Sequence, residues 1–201
     1  MGLTQWLCSL WEVPNNLPKQ NEYAHVRITV GMALPPMKNG KLGKLVEAVC
    51  RGCEENLMYQ HQRIIYSNAY TAFGDTMSVA MRERIFTVRQ LGVDPNRVHI
   101  PHFERNQEIR NTNDEALYAL GQLSENDMSI FIVANHLHMR RVVKTFRKAI
   151  GRHSLITLYW KSVGKLEDYG PGYGQSRFRH PLLFLCYEIL ASVYSKMYGW
   201  T

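Results

Sequence analysis

Short apolar runs alternate along this chain with longer segments whose apolar residues recur every three or four positions, a pattern that predicts strands and helices in turn. Val26 to Leu34 (VRITVGMAL) reads as a first strand, and Pro35-Pro36 with Lys38-Asn39-Gly40 reads as the loop after it. A helix is expected from Lys41 to Gln60, and Arg63 to Ser67 (RIIYS) reads as a second strand. A polar turn, Asn68 to Asp75, leads into a helix over Thr76 to Leu91, whose Met77, Met81, Ile85 and Val88 share one face and which Gly92 stops. Val98 to Ile100 is a short third strand. Asn111 to Leu123 reads as a helix capped by Thr112 or Asn113, with Asp114 and Glu115 in its first turn, where carboxylates complement the helix dipole. Ile130 to Val133 is the fourth strand, Met139 to Ile150 a helix, and Ser154 to Trp160 the fifth strand. Pro181 to Trp200 is a long apolar helix best explained as core.

This alternation calls for a parallel sheet with right-handed crossovers. The expected fold class is α/β, a three-layer Rossmann-like sandwich with a mostly parallel five-stranded sheet and a C-terminal helix. At 201 residues the chain suits one domain, read here as residues 26–201 preceded by an N-terminal extension over 1–25. Leu166 to Arg179 (LEDYGPGYGQSRFR), with three glycines, a proline and two tyrosines, has the length of a lid or binding loop.

No segment has the roughly 18 consecutive apolar residues of a membrane helix, and MGLTQWLCSLWEVPNN lacks a basic leader, so a cytoplasmic protein is expected. The net charge of +7 favours an anionic ligand, and six of its cations, Arg140, Arg141, Lys144, Arg147, Lys148 and Arg152, lie between His136 and His153. Arg141, Lys144, Arg147 and Lys148 have the spacing of one solvated helix face, and no RNA or DNA module is legible. Cys50 and Cys53 form a C-x-x-C inside a helix, outside the strand and turn of a redox site, and no second pair completes a zinc site.

The most informative stretch is Ile130 to Arg141, IFIVANHLHMRR, where an apolar strand ends in two histidines and two arginines. In an open parallel sheet the ends of the strands are where ligands bind, and a helix start with Arg140 and Arg141 beside it suits a phosphate or carboxylate. His138 is the residue whose ordinary pKa suits proton transfer near neutrality, or it hydrogen-bonds a neighbouring loop. His136 with His138 makes a weak case for a metal, Ser67 lacks the G-x-S-x-G elbow of a hydrolase, and GPGYG has no Lys-Ser or Lys-Thr after it.

From Arg27 to Trp200 the order of motifs resembles the YdcF, SanA and ElyC-like family of bacterial proteins. The correspondences are Val30-Gly31 for a strand ending in Leu-Gly, Ser67-Asn68-Ala69 for Ser-Gly-Gly, and Leu91-Gly92-Val93 for Leu-Gly-Val. Asn111-Thr112 with Asp114, Glu115 and Ala116 stands for an Asn-Thr followed by acidic and small residues, and Ala134 to Arg141 for Thr-Ser-x-x-His-Met-x-Arg. The family's histidine then falls on His138 and its arginine on Arg141, while a glutamate common in its preceding helix falls on Ala80, with Glu83 one turn further. The resemblance implies a Rossmann-like nucleotide-binding fold, a link to cell-envelope biogenesis and, from one member, S-adenosylmethionine as a ligand.

The expected site lies where strand ends converge: Gly31, Ser67, Asn68, Asn111, Thr112, Glu115, Asn135 and Arg141 as ligand-binding residues and His138 as the catalytic one, with no metal. Its ligand would be an anionic small molecule of phosphorylated or nucleotide type, bound and acted upon. The alternatives are a non-catalytic module binding S-adenosylmethionine or a nucleotide, and an RNA-associated protein using the basic helix. Tyr194, Tyr198 and Trp200 suit either a dimer contact or packing against the body of the domain.

Overall fold

The computed structural model describes residues 2–32, 42–68, 77–101, 109, 111–124, 127–151, 155–173 and 175–200. Five parallel strands, β1 (Ile28–Met32), β2 (Arg63–Tyr66), β3 (Val98–His99), β4 (Ser129–Asn135) and β5 (Thr157–Val163), form one sheet in the order β3-β2-β1-β4-β5. Among the described residues six α-helices accompany them: α1 (Leu3–Trp11), α2 (Lys44–Glu54), α3 (Val79–Gln90), α4 (Thr112–Leu120), α5 (His136–Ile150) and α6 (Pro181–Met197). The α/β class with a five-stranded parallel sheet and a C-terminal helix is as the sequence pattern predicts, and β3 pairs only through Val98 and His99.

Every residue of β1 and β4 is buried, as expected of strands covered on both faces. Side chains alternate across the sheet. Ile130, Ile132 and Ala134 join Val30, Met139, Val142 and Phe146 on the face of α4 and α5, while Phe131 and Val133 join Leu45, Val49, Val79 and Phe184 on the other. Gly31 belongs to this packing. A Cβ there would lie 2.4 Å from Cε1 of Tyr66 and 3.1 Å from Sγ of Cys53, so the glycine makes room for the ring of the neighbouring strand. Tyr66 is fully buried and its hydroxyl is bonded to that of Thr87 at 2.7 Å, which leaves the ring little freedom to move aside.

Several boundaries differ from the pattern for local reasons. β4 runs directly into α5, so His136 and His138 lie in the first helical turn and not in a turn between strand and helix. β5 begins three residues later than expected because its paired register with β4 starts at Ser129↔Thr157. The turn expected over Asn68 to Asp75 and the loop after Leu34 fall mostly outside the described residues. The glycine-rich stretch after β5 is anchored: Tyr169, Tyr173 and Phe178 are buried and pack toward Phe184 of α6. It is therefore no free-standing lid.

The first 16 residues contribute more than an extension. Asn16 exchanges backbone hydrogen bonds with Trp160 in an antiparallel bridge, the Trp160 indole donates to the Pro14 carbonyl at 2.8 Å, and the outer edge of β5 is thereby covered. Arg140 donates to the Trp11 and Leu10 carbonyls at 2.8 and 3.0 Å, satisfying the C-terminal end of α1, and its guanidinium stacks on the Trp11 ring. Arg140 is therefore spent on a helix end and not on an external anion.

Replacing Gly31 with Ala should lower stability by about 1–3 kcal/mol through overpacking against Tyr66, read as a fall in the urea midpoint. An unchanged midpoint would show that the ring can yield.

Candidate functional site

The start of α5 is fixed by its sequence. Asn135 caps it, the side-chain oxygen accepting from the Leu137 amide at 3.1 Å, and the same oxygen accepts from the Tyr169 hydroxyl at 2.7 Å. Gly164, with φ of +83°, lets the chain after β5 pass this cap, since a Cβ there would lie 2.9 Å from Nδ2 of Asn135. One turn on, His138 and Arg141 point inward between α4 and α6.

Arg141 is 8% exposed and does not lie on the solvated face that Lys144, Arg147 and Lys148 occupy. Its Nε and Nη2 donate to Oε2 and Oε1 of Glu188 at 2.9 and 3.0 Å, a bidentate fork, and Nη1 donates to Oγ1 of Thr112 at 2.7 Å. The anion that this arginine clamps is thus the protein's own. Glu188 is fully buried; burial pushes its carboxyl up, but His138 and Arg141 beside it outweigh that and hold it below the usual carboxylate range.

Nδ1 of His138 stands 3.1 Å from Oε1 of Glu188 and 3.2 Å from Nη2 of Arg141. An ionised carboxylate only accepts and a guanidinium only donates, so these two contacts at Nδ1 favour opposite tautomers of the ring. Burial pushes the His138 pKa down, opposed by Glu188 and assisted by Arg141, so the ring is neutral at pH 7. Nε2 hydrogen-bonds nothing among the described residues. A neutral imidazole held beside an ionised carboxylate has the chemistry to take up or hand on a proton.

Two further acids lie behind Arg141. Burial pushes the Glu115 carboxyl up to about 8, against the partial opposition of Arg141. Glu83 is fully buried, neither of its oxygens has a hydrogen-bond partner, and burial together with the Glu115 charge raises its carboxyl well above the ordinary range. With its carboxyl at about 8, Glu115 is mostly protonated at pH 7. The sequence marked Glu83 only by its place one turn beyond Ala80.

The other expected residues divide. Asn111, and not Thr112 or Asn113, caps α4, accepting from the Asn113 and Asp114 amides. Thr112 joins the Arg141 cluster, while Gly31 serves the packing of Tyr66. Asn68 accepts from the Ala80 amide through its carbonyl, which ties the end of β2 to α3. Ser67 is fully buried with its hydroxyl unpartnered, as are Nδ2 of Asn135 and Oγ of Ser162. Ala69, beside them in the motif, lies outside the described residues.

On the β5 flank of the same helix start, a cavity of about 480 Å³ is lined by Glu12, Asn15, His136, Ser162, Gly164 and Lys165, among others. That is ample for a small molecule. The His136 ring stands edge-on to Tyr169 with centroids 6.1 Å apart, and burial lowers its pKa. Cys8, Cys50, Cys53 and Cys186 are free thiols, and no group of three or more metal-ligating side chains occurs among the described residues. No described helix is long and apolar enough to cross a membrane. No family model, curated protein or solved structure matches the chain.

Glu188 and the cavity wall from the N-terminal segment were missed by sequence reasoning. Glu188 had a signal: apart from Lys196 it is the one charged residue in the 17-residue helix PLLFLCYEILASVYSKM, and a lone carboxylate on an apolar face requires a buried cation.

The raised carboxyls have a consequence for stability. Between the ordinary value of 4.5 and about 8, folded Glu115 holds a proton that the unfolded chain has lost, so its contribution is full below that window and declines as pH rises through it. Glu115→Gln should therefore gain stability over the parent as pH rises from 5 to 8, reaching about 1–3 kcal/mol. Thermal melts across that range measure it, and a pH-independent difference would contradict a protonated Glu115.

Proposed function

We propose that this chain is a Rossmann-like protein that binds a small phosphorylated or nucleotide-type molecule at the C-terminal edge of its sheet, around the first turn of α5, with His138 as the group that moves a proton. One observation carries the reading: among the described residues, buried polar atoms without partners occur at the ends of β2, β4 and β5 (Ser67, Asn135 and Ser162) and on Glu83 of α3. Ser67 Oγ, both Glu83 oxygens, Asn135 Nδ2 and Ser162 Oγ all lack hydrogen bonds. Each such group costs about 1–3 kcal/mol, and natural proteins keep few of them away from working sites.

The resemblance to the YdcF, SanA and ElyC-like family supports the same edge, since its motifs fall on Ser67, Thr112, Glu115, His138 and Arg141. Within this reading Arg141 is a positioning residue. It holds Glu188, and through Glu188 the imidazole, while ligand contacts fall to the unpartnered groups and to Lys165 at the cavity mouth. S-adenosylmethionine, suggested by the family resemblance, belongs among the ligands to be tried.

A thermal-shift panel of nucleotides, sugar phosphates, S-adenosylmethionine and inorganic phosphate tests the proposal, because a ligand at a hundred times its Kd stabilises by about 2.7 kcal/mol. Ser67→Ala and Ser162→Ala each delete a hydroxyl that bonds nothing among the described residues, so each should leave the unliganded melting temperature nearly unchanged. Loss of the ligand shift in Ser67→Ala places the molecule over β2 and α4, and loss in Ser162→Ala places it in the cavity beside β5. A shift that neither variant reduces, or no shift with any compound, would overturn the proposal.

A further inference from the structure

The outward face of α6 lacks the polar residues that a solvated helix carries. Its inner face is Phe184, Leu185, Glu188 and Ser195, all buried, yet Leu183, Ile189, Leu190, Val193, Tyr194, Met197 and Tyr198 are between 41% and 79% exposed. Cys186 is exposed among them. Lys196 is the only charged side chain on the exposed side of the helix. A helix that is apolar all round belongs in an interior. The helix α1 packs beside α6 and adds Leu3, Trp6 and Leu10, at 71%, 46% and 59% exposure.

The spacing of this stripe indicates what covers it. Leu183, Cys186, Leu190, Tyr194 and Met197 are separated by 3, 4, 4 and 3 residues, a sequence that reads the same in both directions about Leu190. Two antiparallel copies of α6 related by a two-fold axis at Leu190 would set Leu183 against Met197, Cys186 against Tyr194 and Leu190 against itself. Every apolar group then meets an apolar group, and no like charges are opposed. The seven large side chains of α6 present on the order of 700 Å², and α1 adds to it, comparable with the roughly 800 Å² per partner of a standard interface. A membrane surface is a poorer match, because interfacial helices flank their apolar face with several Lys or Arg, and here α1 has none and α6 only Lys196.

We propose that the chain forms a two-fold symmetric dimer through antiparallel packing of α6 on α6 about Leu190, with α1 at the rim. Sedimentation velocity at micromolar concentration should give twice the 23.3 kDa chain mass. Leu190→Glu should weaken association at least about 100-fold, the factor expected for a charge placed at the centre of an apolar contact, while its far-UV spectrum stays that of the parent, since Leu190 is 69% exposed and supports nothing inside.

A second variant reads the geometry. On a Cys186→Ser background, Leu190→Cys should form an intermolecular disulfide under mild oxidation, whereas Leu183→Cys alone should not. A wild-type monomer at 50 µM would overturn the proposal, and so would a Leu190→Glu variant that stays dimeric. Binding of a monomer to zwitterionic or anionic vesicles would overturn it in favour of a lipid surface.

Discussion

The structure depends on one buried ion pair, Arg141 with Glu188. Arg141 projects from the first turns of α5, Glu188 from the middle of α6, and Thr112 from the start of α4, so a single guanidinium joins three helices at the C-terminal edge of the sheet. Glu188 is fully buried and Arg141 nearly so. In such surroundings removing one partner is far more damaging than removing both, because the survivor is left as an uncompensated buried charge. Around this pair Phe184 of α6 settles on Tyr169 and Phe178, and the same carboxylate contacts His138.

This arrangement changes what the site can do. An arginine at a helix start beside strand ends suits an anionic ligand, but here the anion is internal and the guanidinium is occupied. What remains is a buried histidine whose pKa is lowered, two carboxyls that burial pushes up, and hydroxyls without partners among the described residues. Keeping Glu83 and Glu115 buried costs stability at neutral pH. The core around them, from Leu45 to Phe146, offsets that cost with large fully buried side chains, each contributing about 1.5–3 kcal/mol.

Much of the fold was legible in the sequence. The strand-like runs at Arg63, Val98 and Ile130 are almost wholly apolar or β-branched, and the helices between them keep regular spacing, so the order of elements and the parallel sheet followed directly. The boundaries did not, because they depend on register: β5 starts where β4 pairs with it and α5 starts where Asn135 caps it. Of the site, the placement of Thr112, His138 and Arg141 at one edge was readable from their positions after strands. Their partner was not, since Glu188 lies 47 residues beyond Arg141 and only the tertiary fold brings it there. The N-terminal segment was hidden for a related reason: Asn16 and Trp11 act through a few isolated hydrogen bonds to β5 and α5, which leave no periodic trace.

The most direct test of the central claim is a double-mutant cycle in urea with Arg141→Met, Glu188→Leu and the two combined. Each single substitution should cost about 3–5 kcal/mol, and the double should be more stable than either single because no charge is left buried without a partner. Losses that simply add, or single substitutions that cost little, would show that the Arg141 and Glu188 pair does not hold the three helices together.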